Sequence, residues 1–385
     1  MSSKLVIAGA GSGKTTWLIK QALQTKDEKV LITTFTEANE KGIIEKFFEI
    51  NGCVPANVTV MTWFSFLLKH GVKPYQSAIY NDDITGMLLV NRKSGFRFIN
   101  REGKPIYYGE KDGEPFYFTT GKRIYSDKIA KFVVSADKIK KGLIINRIRR
   151  IFPHIFIDEV QDLAGYDLEI IQLFHKEGVN LLMVGDPRQV TYHTHDERKN
   201  KKYSDGNIKG YITEHCAGIE IDEKTLCNSY RNNVQICDYA NMVYPGMPPC
   251  LSHGKETTGH DGIFLVSKDM VKEYIERYHP VQLRDKRTIT VSDDAPAVNF
   301  GDAKGLTYSR VLIYPTTPIR NWIKDPSSKL EPKSRARLYV AITRAEYSVA
   351  FVDDNIDATT IQKIDRWIAK GSSPITVSTS ARSIF

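Results

Sequence analysis

Ala8-Gly9-Ala10-Gly11-Ser12-Gly13-Lys14-Thr15-Thr16 stands between an apolar run, Leu5 to Ala8, and a helical pattern, Thr15 to Gln24. A glycine-rich turn that follows a strand and opens a helix is the context a P-loop requires. Its glycines let backbone N–H groups curl around a polyphosphate, and the helix N-terminus adds its dipole. Lys14 is placed to neutralise the outer phosphates and the Thr15 hydroxyl to bind Mg²⁺. Ala8 occupies the position where the general pattern has glycine.

The rhythm continues outward. Val30–Thr34 reads as a strand, 38–50 as a helix, 58–61 as a strand and 63–70 as a helix. That βαβαβα alternation predicts a parallel sheet covered by helices. Residues 71 to about 137 break it with glycines and aromatics such as Tyr107-Tyr108 and Phe116-Tyr117-Phe118, and read as an inserted subdomain. A basic segment, Lys138 to Arg150, follows and suits either phosphate contact or a solvated face. Strands are expected again at 154–157 and 180–184, with a helix over 166–175. A second α/β unit should begin near 218, with strands at 263–266, 288–291, 311–314 and 348–352 and helices at 234–243, 334–342 and 359–369.

Polyphosphate chemistry needs a carboxylate for Mg²⁺ and a way to activate water. His154-Ile155-Phe156-Ile157-Asp158-Glu159-Val160-Gln161-Asp162 supplies both at a strand's end. Asp158 would hold the metal, and Glu159 would polarise the attacking water. At this point a nucleoside kinase fits as well.

The chain has 385 residues, about two and a half domains' worth. With 41% hydrophobic and 26% charged residues it is an ordinary globular composition, not a fibrous or disordered one. No apolar run approaches a membrane span, and no secretory signal pattern opens the sequence. The 54 Lys+Arg exceed the 45 Asp+Glu to give a net +9, a balance that suits a nucleic-acid partner or simple solubility. Five cysteines without a CxxC pair read as reduced thiols in a cytoplasmic protein. His215, Cys216 and His253 lack metal-site spacing.

Four later motifs follow in order: Val184-Gly185-Asp186-Pro187-Arg188-Gln189, Asn228-Ser229-Tyr230-Arg231, Asp302-Ala303-Lys304-Gly305-Leu306 and Tyr339-Val340-Ala341-Ile342-Thr343-Arg344-Ala345. Together with Phe35-Thr36 and Thr62-Trp63-Phe64-Ser65-Phe66, they make the chain resemble superfamily 1A helicases of the UvrD/Rep/PcrA type. The motifs span residues 5 to 346.

The resemblance implies an α/β fold of two RecA-like P-loop NTPase domains with ATP in the cleft between them. Residues 1–70 plus 151–217 would form the first, with 71–150 a small insertion, and 218–385 would form the second. It implies ATP and Mg²⁺ as cofactors, bound by Ala8 to Thr16, Asp158, Tyr230 (stacked on adenine) and Gly305. Gln189 would sense the γ-phosphate, and Arg231 and Arg344 would reach it as arginine fingers in cis. Phe35, Thr36, Thr62, Trp63, Phe64 and Tyr192 match strand-contacting positions. Of Trp63 and Phe64, one is expected in the core.

Some family features differ. No upstream glutamine motif precedes Leu5. Tyr192-His193-Thr194 stands where the family usually has a Trp, Asn299-Phe300-Gly301 replaces a Thr-x-His pattern, and Thr307 replaces a Glu. Only residues 232 to 303 separate the Tyr-Arg and Lys-Gly motifs, too few for the family's large accessory domain. The expected activity is therefore a single-stranded-DNA-stimulated ATPase, a translocase or helicase of 3′-to-5′ polarity that unwinds poorly alone. The rival class is a DNA-sensing ATPase subunit that controls a partner nuclease.

Overall fold

The computed structural model describes residues 2–90, 92–191, 199–254, 256–356 and 364–368. Its centre is a six-stranded, wholly parallel sheet. Across it the strands run Glu220–Asp222, Lys4–Ile7, Asn180–Gly185, His154–Ile157, Val30–Thr34 and Val58–Thr62. Val30–Thr34 and His154–Ile157 are buried at every residue, as apolar strands of a sheet covered on both faces must be. The register pairs Ile7 with Gly185 and Ile157 with Met183. The chain segments after Ile7, Ile157 and Gly185 therefore leave the sheet together at its carboxyl edge, where open α/β sheets bind ligands.

On one face lies Lys14–Gln24, which buries Leu18, Ile19 and Ala22 against Val6, Ile32 and Val184. The helix Glu37–Asn51 packs in the same layer. Thr36 caps it by accepting the Asn39 N–H at 3.1 Å, and Glu37 and Glu40 sit in its first turn, both favourable at a helix N-terminus. The helix expected over 63–70 is α-helical only for Trp63–Phe66. It widens to a π-helix over Leu67–Val72 and tightens over Lys73–Ala78. Gly71 there lies so close to Val133 that an added Cβ would meet its Cγ2 at 2.7 Å.

The inserted region forms two small sheets. Gly86–Leu88 pairs with Arg123–Tyr125, and Phe96–Ile99 forms a hairpin with Pro105–Tyr107. Its last part is not separate from the main body. Helices Ile129–Ile139 and Leu143–Ile151 bury Phe132, Val133, Ile144 and Ile148 in the same core as Leu5 and Ile155. The basic segment thus presents an apolar face to the core and Arg149 and Arg150 to solvent.

A second six-stranded parallel sheet runs Ala297–Asn299, Val281–Arg284, Tyr308–Ile313, Ala345–Val352, Gly262–Val266 and Asp365–Arg366. Three details differ from the sequence reading. Glu220–Asp222 pairs with Lys4–Val6, so the chain leaves the first sheet only after Asp222, beyond the expected start of the second unit at 218. The strand expected at 288–291 is instead Val281–Arg284. Within the stretch expected as a helix over 359–369, Asp365–Arg366 is a strand; residues 357–363 and 369 lie outside the described residues. Among the described residues, the span from 232 to 303 supplies strands and helices of the second sheet and no additional compact domain. The Leu251–Ser252 excursion returns to pair with Asn228–Ser229.

Candidate functional site

Where the carboxyl edge of the first sheet meets the second domain there is a cavity of about 440 Å³, within the size range of small-molecule sites. Gly11 to Thr16 form its floor. Gly11 and Gly13 have φ of 71° and 78°, a left-handed backbone that glycine adopts without steric cost. Gly13 is also the N-cap of Lys14–Gln24 and leaves that helix end without a side-chain cap, so its first N–H groups are available to an anion.

Ala8, Gly9 and Ala10, expected to touch nucleotide, form the wall behind the loop and do not line the cavity. Ala8 N–H donates to the Gly185 carbonyl at 2.9 Å, and the Ala8 carbonyl accepts from Arg188 Nη2 at 2.9 Å. Gly9 N–H donates to the Leu226 carbonyl, and a Cβ there would lie 2.3 Å from Cys250 Sγ. Ala10 is buried in the second domain's core cluster. Their small size serves close approach of the two domains.

Asp158 and Glu159 border the cavity. The Thr15 hydroxyl donates to Asp158 Oδ2 at 3.0 Å. A hydroxyl beside a carboxylate at the mouth of a P-loop is the hard-oxygen donor set that suits Mg²⁺, so the residues fit the ion the sequence implies. Glu159 sits at φ 55°, uncommon for a non-glycine residue and a feature that clusters at functional sites. Gln161, a motif residue with no role expected from the sequence, holds this turn. Its side-chain amide donates to Glu159 Oε2, and its Oε1 accepts the Asp186 N–H at 3.1 Å. Gly185 is needed here, since a Cβ would collide with Gln161 Oε1.

Burial, reinforced by the Glu159 charge, raises Asp158 above the usual carboxylate range. Burial would raise Glu159 too, but Lys304 and Lys14 outweigh it and hold Glu159 ionised. Asp162 is raised by burial against the pull of Lys304.

The second domain closes the cavity with cations. Arg231, Lys304, Gly305 and Arg344 all line it, as does Gln189 from the first domain. Arg344 is 1% exposed; it donates to the Val340 and Leu306 carbonyls at 3.1 and 3.2 Å and, through Nη2, to Gln189 Oε1 at 3.1 Å. Burial, with repulsion from Arg231, pushes the Arg344 guanidinium down to about 9. Arg231 donates to the Thr343 carbonyl at 3.2 Å and lies against Gly11. Two guanidinium groups held together in one buried pocket are a strong electrostatic call for an anion.

Gln189 is itself clamped, since its amide donates to Asp186 Oδ2 at 2.8 Å. Asp186 also pairs with Arg188 at 2.7 Å. Arg188 in turn reaches Pro248 at 3.2 Å and lies 5.1 Å over the Tyr339 ring, which ties the two domains together. Asn228–Ser229 is a strand, and the helix expected over 234–243 starts at Val234 behind an Asn233 cap.

Other expected site residues lie elsewhere. Tyr230 is exposed, with its ring 4.4 Å from that of His253, and is not part of the cavity wall. Trp63 is 1% exposed, and its indole N–H donates to buried Asp167 Oδ1 at 2.7 Å. It is a core residue, with no ring face open to a base. Phe64 is also buried, edge-on to Phe35 at 5.7 Å. The Thr62 hydroxyl is occupied with Ser65. Half-buried Phe35 and exposed Thr36 remain at the surface, and Tyr192 lies outside the described residues. Trp63→Phe removes the donor to Asp167 and is expected to cost about 1–3 kcal/mol of stability. Thermal melting should show that loss while single-strand affinity stays unchanged; a lost affinity in a stably folded variant would contradict the core assignment.

Among the described residues no group of three or more His, Cys, Asp or Glu side chains forms a metal cluster.

Two family descriptions match the chain. Residues 2–195 match an AAA domain, and residues 141–353 match the viral superfamily 1 RNA helicase core domain. No curated protein sequence matches. Solved structures similar to the chain include an Arterivirus nonstructural protein 10 helicase at 15% identity and TM-score 0.47, covering 94% of this chain and 62% of that one. The same helicase in complex with DNA matches at 15% identity and TM-score 0.46, covering 92% and 61%. A PRRSV helicase matches at 15% identity and TM-score 0.43, covering 93% and 54%. The chain spans roughly three-fifths of the length of the first two.

Proposed function

Since the chain belongs to the superfamily 1 helicase core family, whose description covers more than half of it, we propose that it is an ATP hydrolase driven by single-stranded DNA. We place it with the UvrD-like, 3′-to-5′ translocating type. One observation carries the reading: a P-loop, two carboxylates and Gln189 from one domain face Arg231, Lys304 and Arg344 from the other across a single cavity. We divide the chain into a first RecA-like domain, an insertion within it and a second RecA-like domain from about Asp222 onward.

In this reading the P-loop N–H groups and Lys14 hold the β- and γ-phosphates. Thr15 and Asp158 would hold Mg²⁺, which when bound would offset phosphate charge. Glu159 accepts the proton of the attacking water. Arg231 and Arg344 stabilise charge that builds on the transferred phosphoryl group. Gln189, held between Asp186 and Arg344, reports occupancy of the γ-phosphate position to both domains.

Support for a single-stranded partner comes from the net +9 charge and from the hairpin of the insertion. There Phe96 and Phe98 are exposed, and Lys93 and Arg97 lie over the Tyr107 and Tyr108 rings at 4.7 and 5.4 Å. Cations interleaved with exposed aromatic side chains suit a flexible polyanion whose bases can stack. All five cysteines are free, which fits a reducing, cytoplasmic setting. Among the described residues no helix is long and apolar enough to cross a membrane.

Displacement of a labelled strand from duplexes with a 3′ or a 5′ tail tests the proposal. Slow ATP-dependent displacement confined to the 3′-tailed substrate is expected. Preference for the 5′ tail would contradict the polarity. DNA-stimulated hydrolysis without any displacement would favour an ATPase that acts on a partner protein such as a nuclease.

A further inference from the structure

Asp158, Glu159 and Asp162 crowd three carboxylates into five residues at a buried strand end. Asp158 and Asp162 are 5% and 3% exposed. The cation that meets Asp162 comes from the other domain. Lys304 Nζ donates to Asp162 Oδ1 and Oδ2 at 2.8 and 2.7 Å and lies 3.4 Å from Glu159 Oε2. The backbone of Lys304, by contrast, is anchored in the second domain. Its neighbour Ala303 and nearby Phe300 are wholly buried in that core, and the turn is closed by the Lys304 N–H to the Gly301 carbonyl and the Leu306 N–H to the Ala303 carbonyl. One ammonium therefore belongs to the second domain by backbone and to the first by charge.

Any opening of the cleft withdraws that ammonium from two carboxylates that have little access to water. Both partners are rehydrated on opening, so the pair marks the closed cleft without itself locking it. When the cleft does open, Glu159 loses one of the two side chains that fix its carboxylate, Gln161 being the other. We propose that Lys304 is a positioning residue that couples domain closure to hydrolysis. Seated, it orients Glu159 for the attacking water; withdrawn, it leaves Glu159 unaligned. A single strand lying across both domains stimulates turnover by keeping Lys304 seated. This rests on the ATPase reading above.

The full chain tests it, in wild-type form and as Lys304→Met, Lys304→Arg and the double variant Lys304→Met/Asp162→Asn. ATPase kinetics are read with and without single-stranded DNA, beside thermal melting. Lys304→Met is expected to lower the DNA-stimulated kcat by about 10²-fold, the scale of a small misplacement of a reacting group. KM for ATP should stay within about threefold, because the Lys304 ammonium is engaged by Asp162 and Glu159 and not by the phosphate floor. The ratio of stimulated to basal rate should fall toward one, and Lys304→Arg should recover most of it. Should Lys304→Met fail to fold for want of a cation beside Asp162, the double variant removes that need and must still be slow. A stimulated kcat near wild type in either Met variant overturns the proposal, as does a loss confined to KM or tracking stability alone. A wild-type chain without any ATPase activity would overturn both this proposal and the ATPase reading.

Discussion

Replacing Glu159 by glutamine is expected to lower kcat for ATP by about 10²- to 10⁴-fold, the range for loss of a positioned general base. The substitution keeps shape and volume. Glutamine tolerates the φ of 55° at this position no worse than glutamate does, so no new backbone strain enters. Gln161 and Lys304 would face an amide instead of a carboxylate, and the position lies at a cavity wall, outside the hydrophobic cores. The fold should therefore survive. Lys14, Thr15 and Asp158 remain, so the variant should still bind ATP, and fluorescent-nucleotide titration would show it. Lys14→Ala should be as inactive but for another reason, because it removes the cation from the phosphate floor itself and weakens binding too. Hydrolysis by Glu159→Gln at near the wild-type rate would sink the general-base assignment.

Arg344→Ala should produce a loss of similar or larger size, about 10³- to 10⁵-fold in kcat, the range for arginine fingers. The guanidinium already lies in the cavity wall, 3.1 Å from Gln189, so little rearrangement is needed to bring it to a phosphoryl group. Its burial complicates the reading, because truncation also strands the Val340 and Leu306 carbonyls that it satisfies. Arg344→Lys separates the two effects. It keeps a charge in the pocket but cannot form the planar fork, so it should melt closer to wild type yet remain slow. Arg231→Ala, at a less buried position, should lose activity with a smaller change in melting temperature. If either arginine can be removed while kcat stays within a few-fold of wild type, the cation is structural.

The parts of this fold most legible in the sequence are those where one physical rule dominates. The strand–glycine loop–helix unit around Lys14 needs positive φ at fixed positions. The central strands are continuous apolar runs, and Val30–Thr34 and His154–Ile157 fall where that pattern puts them. Val281–Arg284 carries no continuous apolar signal because Gln282 interrupts it. That side chain is wholly buried but fully partnered, by the Ser292 and Ala295 carbonyls and by the Tyr314 hydroxyl, and such long-range satisfaction leaves no local signature.

The site divides in the same way. Lys14, Asp158, Glu159, Arg231 and Arg344 meet as the motif order suggested. Gln161, Arg188 and Lys304 act through partners distant in sequence: Arg188 through Ala8 and Pro248, Lys304 through Asp162. Trp63 shows the opposite error. An aromatic at a motif position reads the same whether its ring faces a base or, as here, a buried carboxylate such as Asp167. Ala8 to Ala10 belong to the phosphate-loop motif, but they back the loop against Cys250 and Leu226, outside the cavity itself.

The most direct test of the account is the steady-state ATPase rate of the wild-type chain with Mg²⁺, measured without nucleic acid and then with a saturating unstructured single strand, in DNA and RNA arms. A cleft whose cations come from both domains should turn over slowly when nothing holds the domains together, and several-fold or more faster once the single-stranded DNA bridges them. Hydrolysis equally fast with and without nucleic acid, or none under either condition, would contradict the claim that the cavity is the engine of a nucleic-acid-driven ATPase.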